Sequence, residues 1–348
     1  MHIPDGFIDA PTAVAAGAVS VGLIAYALRK TGKHLGERTV PLLGVTAAFI
    51  FAAQMLNFPV AGGTSGHVLG AVLCVALVGP WAAAIVMTAV LLVQALGMAD
   101  GGITALGANV FNMGLVAVLV GFGLLAVLKR LLPRTLTGYM ISVAVASWVS
   151  VVAASAAASL ELALSGTVPL GVALPTMISV HMIIGLGEAA ITTAVVGAVL
   201  AARPDLVGSF DLSLPRSRPA LHGAGRRTRF WAFVAGTVVV AVALAVFVAP
   251  FASSSPDGLE RVAADQGFES AATAEPLWGS SPFGDYQMPG VANGKVATAV
   301  AGLVGTLILF ALVLLTGRVL GRRRAAASPG LAGAQDSPSD FGAPRGQA

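Results

Sequence analysis

Apolar residues along this chain gather into nine runs separated by short polar stretches: 12–28, 40–58, 67–79, 81–97, 107–128, 138–159, 174–201, 230–250 and 296–317. A membrane-crossing helix needs about 20 predominantly apolar residues, so the pattern predicts an all-α polytopic membrane protein. The run 67–79 is short for a span, and only Gly79-Pro80 divides it from the next. Two spans around a tight turn fit that spacing, and so does a tilted or partly re-entrant first member.

The runs fall into two blocks. Residues 1–201 read as a seven-span helical bundle with short loops, and residues 202–229 as a Pro- and Arg-rich cytoplasmic linker. Residues 230–317 read as a two-span C-terminal unit around a small extracytoplasmic segment, Phe251 to Gly294. Residues 318–348, rich in Ala, Gly, Ser and Pro, read as a disordered cytoplasmic tail. The change of composition at the linker suggests a fusion of two once-separate units. No internal repeat is evident, which weighs against an inverted-repeat carrier.

Composition agrees with a bilayer environment: 56% of residues are hydrophobic and 10% charged, with a mean hydropathy of +0.87. Short loops rich in Lys and Arg stay cytoplasmic. With the N-terminus outside, eighteen of the twenty basic residues fall inside, leaving only Arg261 and Lys295 outside. The outer segments carry acidic residues such as Asp5, Asp100, Asp257 and Glu260, and an anionic face draws in cations. The net charge of +4 thus belongs to the cytoplasmic rim and implies no nucleic acid. One cysteine, Cys74, provides neither a disulfide framework nor a thiolate metal site.

The chemistry begins at Met1-His2. Residues 1–11 lack the basic and apolar regions of a cleavable leader, and a histidine at position 2 disfavours removal of Met1. The amino terminus is therefore expected to stay attached, with a free amine. A histidine at position 2 can chelate through the Met1 α-amine, its own deprotonated amide nitrogen and its imidazole Nδ1. Such a nearly planar set suits Ni(II) or Cu(II) best, with Co(II) less able to displace the amide proton. One equatorial position stays open. On the dipeptide alone, an accidental Met-His start is the better reading.

Topology sorts the other histidines. His34 and His222 fall in cytoplasmic basic loops and read as solvated. His67, in Gly62-Gly63-Thr64-Ser65-Gly66-His67, falls on the same face as the amino terminus and would supply the fourth nitrogen. Thr64 and Ser65 have hydroxyls that can orient its imidazole, and Ser65 also reads as a plain helix cap. His181 and Glu188, seven residues apart in the seventh span, share a helical face. Ionisable groups within a membrane are functional candidates, here as a proton relay, a metal transit site or, preferred on ligand count, structural packing. Asn109 and Asn112 open the fifth span, placed to bond loop backbone, the ligand histidines or a neighbouring helix. No GxxxxGK[ST] phosphate loop occurs, so the chain is not itself a P-loop ATPase or, on this reading, an enzyme.

Four stretches together, Met1-His2-Ile3-Pro4-Asp5-Gly6-Phe7, Gly63-Thr64-Ser65-Gly66-His67, Leu106-Gly107-Ala108-Asn109-Val110-Phe111-Asn112-Met113-Gly114 and His181 to Ala189, resemble the cobalt/nickel substrate-binding component of energy-coupling factor transporters, the CbiM/NikM family. Pro256-Asp257-Gly258-Leu259-Glu260 resembles the PDGLE signature of the small CbiN/NikN-type accessory subunit. The resemblance implies square-planar Co(II) or Ni(II) binding by Met1, His2 and His67, the metal being cargo rather than a cofactor. It implies as partners a transmembrane T protein and two cytoplasmic ABC ATPases, in a bacterial or archaeal cell membrane. It also implies that small residues of the first helix, Ala13-x-x-x-Gly17 and Ala18-x-x-x-Gly22, touch the T protein. Capture is expected to weaken as pH falls, because amine and imidazole must shed protons to bind. The alternative is a proton-coupled secondary metal transporter working through His181 and Glu188.

Overall fold

The computed structural model describes residues 1–32, 39–209, 224–273, 278 and 281–327. Each of the nine apolar runs holds a helix, but not all nine are full spans. In chain order these are α1 (Ala10–Gly32), α2 (Thr39–Gln54), α3 (Ala71–Val78), α4 (Pro80–Met98), α5 (Leu106–Leu131), α6 (Leu136–Leu164), α7 (Leu170–Ala202) and α8 (Ala224–Ala243), which continues through tighter and wider turns to Phe251. A short α9 (Gly258–Gln266) precedes the last span, α10 (Gly294–Ala327). Seven helices among the described residues are long and apolar enough to cross a bilayer; α2 and α3 fall short.

The 67–79 run is where expectation and structure differ most. Only eight residues are helical, and the chain before them makes a small antiparallel hairpin, β1 (Phe58–Val60) and β2 (Thr64–Gly66), with Pro59 opposite Ser65. Non-helical backbone at membrane depth is tolerated only when its polar groups are satisfied by protein. Here Glu188 of α7 accepts from the Leu69 and Gly70 amides at 2.6 and 2.9 Å, while Gln54 of α2 donates to the Leu69 carbonyl at 2.8 Å. Gly70 adopts φ +78°, and a Cβ there would lie 2.4 Å from Ile50, so the break needs glycine.

The two blocks pack as one body. Helix α10 runs along α2, and a Cβ at Gly305 would stand 2.4 Å from Phe51 and 2.6 Å from Met98, so the missing side chain lets the helices approach. Helix α8 begins inside the expected linker. Helix α10 continues to Ala327, into the stretch expected to be disordered from 318, because Arg322 to Ala327 are strong helix formers. His34, His222 and the rest of the tail lie outside the described residues. On α1, the Ala13/Gly17 stripe is taken up inside the chain: a Cβ on Gly107 would sit 2.5 Å from Gly17 Cα, and Ser20 donates to the Gly107 carbonyl at 2.8 Å. The contact uses one side of Gly17, whose own Cβ position meets open space. Ala18 and Gly22 stay exposed on the other face.

Candidate metal centre

The first seven residues are threaded into the bundle rather than left as a loose end. Ile3 and Phe7 are buried in the core. Asn109 clamps the backbone of Ile3 from both sides, accepting from its amide at 2.8 Å and donating to its carbonyl at 3.1 Å, while the Gly102 amide donates to the same carbonyl at 2.9 Å. Asp5 accepts from the amide and hydroxyl of Thr104 at 2.8 and 2.6 Å, and its carbonyl accepts from the Thr273 amide at 2.8 Å. Asn109 stands where α5 passes into a π-helical stretch, Val110–Val116, a geometry often found at functional sites. A metal-binding role for the amino terminus predicts that Asn109→Ala, by freeing residue 3, weakens Ni(II) binding about tenfold, as loss of such a supporting partner typically does; calorimetry on the variant checks it.

This anchoring brings three of the predicted residues together. The Met1 amine lies 3.4 Å from His67 Nε2, and the His2 and His67 rings stack with centroids 5.3 Å apart. His67 Nδ1 is 3.2 Å from the Val68 carbonyl, a partner that places the proton on Nδ1 and the lone pair on Nε2. Burial, with the Met1 ammonium and His2 as further causes, lowers the His67 pKa to about 3, so the lone pair is available at neutral pH. Among the described residues no three His, Cys, Asp or Glu side chains converge as a cage for a metal.

Two carboxylates occupy the other nitrogens. The Met1 ammonium is ion-paired with Asp257, from the C-terminal unit, and His2 Nδ1 lies 3.0 Å from Asp100. His2 Nε2 is 3.2 Å from Gln94 Oε1. Gln94 donates to Gln54 at 2.8 Å, and Tyr286 of the C-terminal unit donates to Asp100 at 2.6 Å. Burial opposes the charge on both carboxylates. For Asp100 the His2 charge and hydrogen bonds from His2 and Tyr286 overcome it; for Asp257 the Met1 ammonium does. Both are held well below the usual carboxylate range. Asp257 divides its work: Oδ1 caps α9 by accepting from Leu259 and Glu260 at 2.7 and 3.0 Å, and Oδ2 takes the amine. The site opens into a cavity of about 650 Å³ lined by both units, including His2, His67, Asp100, Asp257, Glu260 and Asp285.

The remaining predicted residues sit around this point in other roles. Thr64 is buried in β2, and Ser65 in the same strand gives its hydroxyl to the Ser255 carbonyl at 2.7 Å and its amide to the Pro256 carbonyl at 2.8 Å. Ser65 therefore neither orients His67 nor caps a helix; a residue in an extended strand points its donors sideways, here to the PDGLE turn. Asn112 donates to Glu161 at 2.6 Å and is turned to α6. Glu188 has both oxygens committed to the start of α3, with Thr192 donating to Oε1 at 3.2 Å. His181 borders a small cavity with Met1, His67, Leu69 and Asp257. Sequence reasoning placed Asp100 only among the outer acidic residues, placed Asp257 there and in the PDGLE signature without a role at the amine, and passed over Gln54, Gln94 and Tyr286.

Comparison with known proteins agrees with this two-unit layout. A family model described as the cobalt uptake substrate-specific transmembrane region, CbiM, matches residues 2–206, and the PDGLE domain model matches residues 231–322. A putative fused nickel transport protein NikMN of Archaeoglobus fulgidus is 36% identical, over 90% of this chain and 96% of its own length. The fused nickel transport protein NikMN of Rhodobacter capsulatus is 30% identical, over 93% of this chain and 99% of its own. A crystal structure of a truncated transition metal transporter superposes with a TM-score of 0.53 at 36% identity, covering 58% of this chain and 99% of that one. With both family models following one another along a single chain and fused relatives matched nearly end to end, the chain belongs to the CbiM family of cobalt-uptake transmembrane proteins, in the fused CbiM/NikMN form that carries a PDGLE domain.

Proposed function

We propose that this chain is the metal-capturing membrane subunit of an ATP-driven importer for Co(II) or Ni(II), loading the ion at the extracytoplasmic face. The proposed ligands are the Met1 amine, the His2 amide and Nδ1, and His67 Nε2. One observation carries the reading: the Met1 amine and His67 Nε2 are 3.4 Å apart beside the stacked His2 ring, held there by the Asn109 clamp on Ile3. The relatives named as fused nickel transport proteins support the same cargo class. The distribution of Lys and Arg supports the outward-facing site.

Loading then exchanges the Met1–Asp257 ion pair and the His2–Asp100 contact for metal bonds. The amine leaves Asp257, and the His2 ring turns Nδ1 from Asp100 toward the amine, with proton release from each nitrogen that carries one. The acidic cavity raises the local concentration of the hydrated cation before capture. The chain has no phosphate loop, so the energy for reorientation is assigned to two partner ABC ATPases acting through a T protein. The exposed Ala18/Gly22 face of α1 gives that protein a surface for close helix contact.

The test is Ni(II) and Co(II) calorimetry on the full chain with a native amino terminus, beside His67→Ala. Loss of one of four donors is expected to weaken binding about 100-fold or more, some 2.8 kcal/mol. An unchanged affinity in His67→Ala would move the site elsewhere.

A further inference from the structure

His181 has features that helix packing alone does not require. It is 2% exposed, and its Nδ1 lies 2.8 Å from the Met177 carbonyl one turn back. That bond places the proton on Nδ1, which leaves Nε2 a lone pair, and this buried Nε2 has no partner. A buried polar atom left unmatched calls for a reason. A neutral imidazole fixed through Nδ1 to a backbone carbonyl, with Nε2 open, is how proteins commonly present a histidine to a metal.

The surroundings of Nε2 point the same way. His181 shares a cavity of about 10 Å³ with Met1, Gly66, His67, Leu69 and Asp257, a space the size of one water molecule or one bare ion. The opposite wall is the PDGLE turn: a Cβ on Gly258 would lie 2.9 Å from Nε2 and 2.8 Å from Cε1. The turn that holds the Met1 amine through Asp257 thus also covers His181 through Gly258. Two of the proposed donors, Met1 and His67, thus line the same small cavity as His181.

We propose that His181 Nε2 is a further ligand for the transported ion, an inner station reached from the Met1, His2 and His67 nitrogens and covered by the Asp257–Gly258 turn. The proposal rests on the capture reading above. Glu188, two turns further along α7, has no part in it because its oxygens cap α3.

Ligand and packing roles separate by substitution. His181→Gln keeps the size and a donor for Met177 but offers a poor ligand; His181→Cys loses both and supplies a thiolate, and the room left by the imidazole lets the ion follow the shorter side chain. Each is made in the full chain, with Cys74→Ser as the common background, and assayed for Ni(II) calorimetry, Co(II) absorption and Ni(II) uptake in cells with the partner subunits. The expected result is affinity for the first equivalent of Ni(II) within about threefold of the parent in both, uptake lowered tenfold or more in His181→Gln and less in His181→Cys, and, with Co(II) added beyond one equivalent so that the inner station fills, a thiolate-to-Co(II) charge-transfer band in His181→Cys alone. Absence of that band, or better uptake by the Gln variant than by the Cys variant, overturns the proposal and leaves His181 a packing residue beside a cavity that holds water. His67→Ala with undiminished affinity would instead sink the capture reading itself, so the two failures are distinguishable.

Discussion

One extra residue placed before Met1 is expected to weaken Ni(II) binding by about 1000-fold or more, roughly 4 kcal/mol. The extension turns the α-amine into an amide, removes a neutral nitrogen donor and opens the five-membered ring that it closes with the His2 amide nitrogen. It also removes the ammonium that Asp257 holds, leaving a half-buried carboxylate without its ion-pair partner. Relief by relaxation is blocked, because Met1 and Ile3 are buried and Asn109 and Gly102 grip the Ile3 backbone. The new residue must displace the PDGLE turn or leave by way of the cavity. His2→Ala is expected to lose a comparable amount, since the imidazole closes the six-membered ring. A C-terminal tag, far along the chain from α10's membrane portion, is expected to change nothing. Calorimetry on the four proteins decides the matter: tight binding by the extended form would rule out an amino-terminal chelate.

Much of this arrangement was legible in the residues, and the part that was not has a common cause. The apolar runs located every membrane helix, because a bilayer demands contiguous apolar length. His2 and His67 stood out because a histidine at position 2 has its own chelate geometry and His67 falls on the same face. Pro256-Asp257-Gly258 is a local turn signal, and Oδ1 of Asp257 fits it by capping α9. The local explanation was complete, so nothing in the sequence signalled that Oδ2 reaches an amine 256 positions away. Asp100 and Tyr286 pair across 186 positions and two units, a contact with no local pattern. The short α3 escaped for a related reason: hydropathy counts apolar side chains, whereas the hairpin and the Leu69–Gly70 break depend on where backbone amides find acceptors.

Glu188, preferred from the sequence as a structural residue over a proton relay, is where substitution gives the second large effect. Ionisable groups within a membrane are candidates for proton carriage, yet both oxygens of Glu188 receive main-chain donors at the start of α3. Glu188→Ala leaves two buried N–H groups without acceptors, and at about 1–3 kcal/mol each the expected loss of stability is about 3–5 kcal/mol. Glu188→Gln keeps one acceptor oxygen but turns an NH2 toward the other amide, an expected loss of about 1–3 kcal/mol. Thermal unfolding in detergent should therefore rank the parent above Gln and Gln above Ala. Because α3 follows His67 directly, the folded fraction of Glu188→Gln is expected to bind Ni(II) within about threefold of the parent, since no metal donor has been altered. A proton carrier predicts the reverse order of effects: an unchanged unfolding temperature in Glu188→Gln, together with abolished uptake that depends on a proton gradient rather than on partner ATPases.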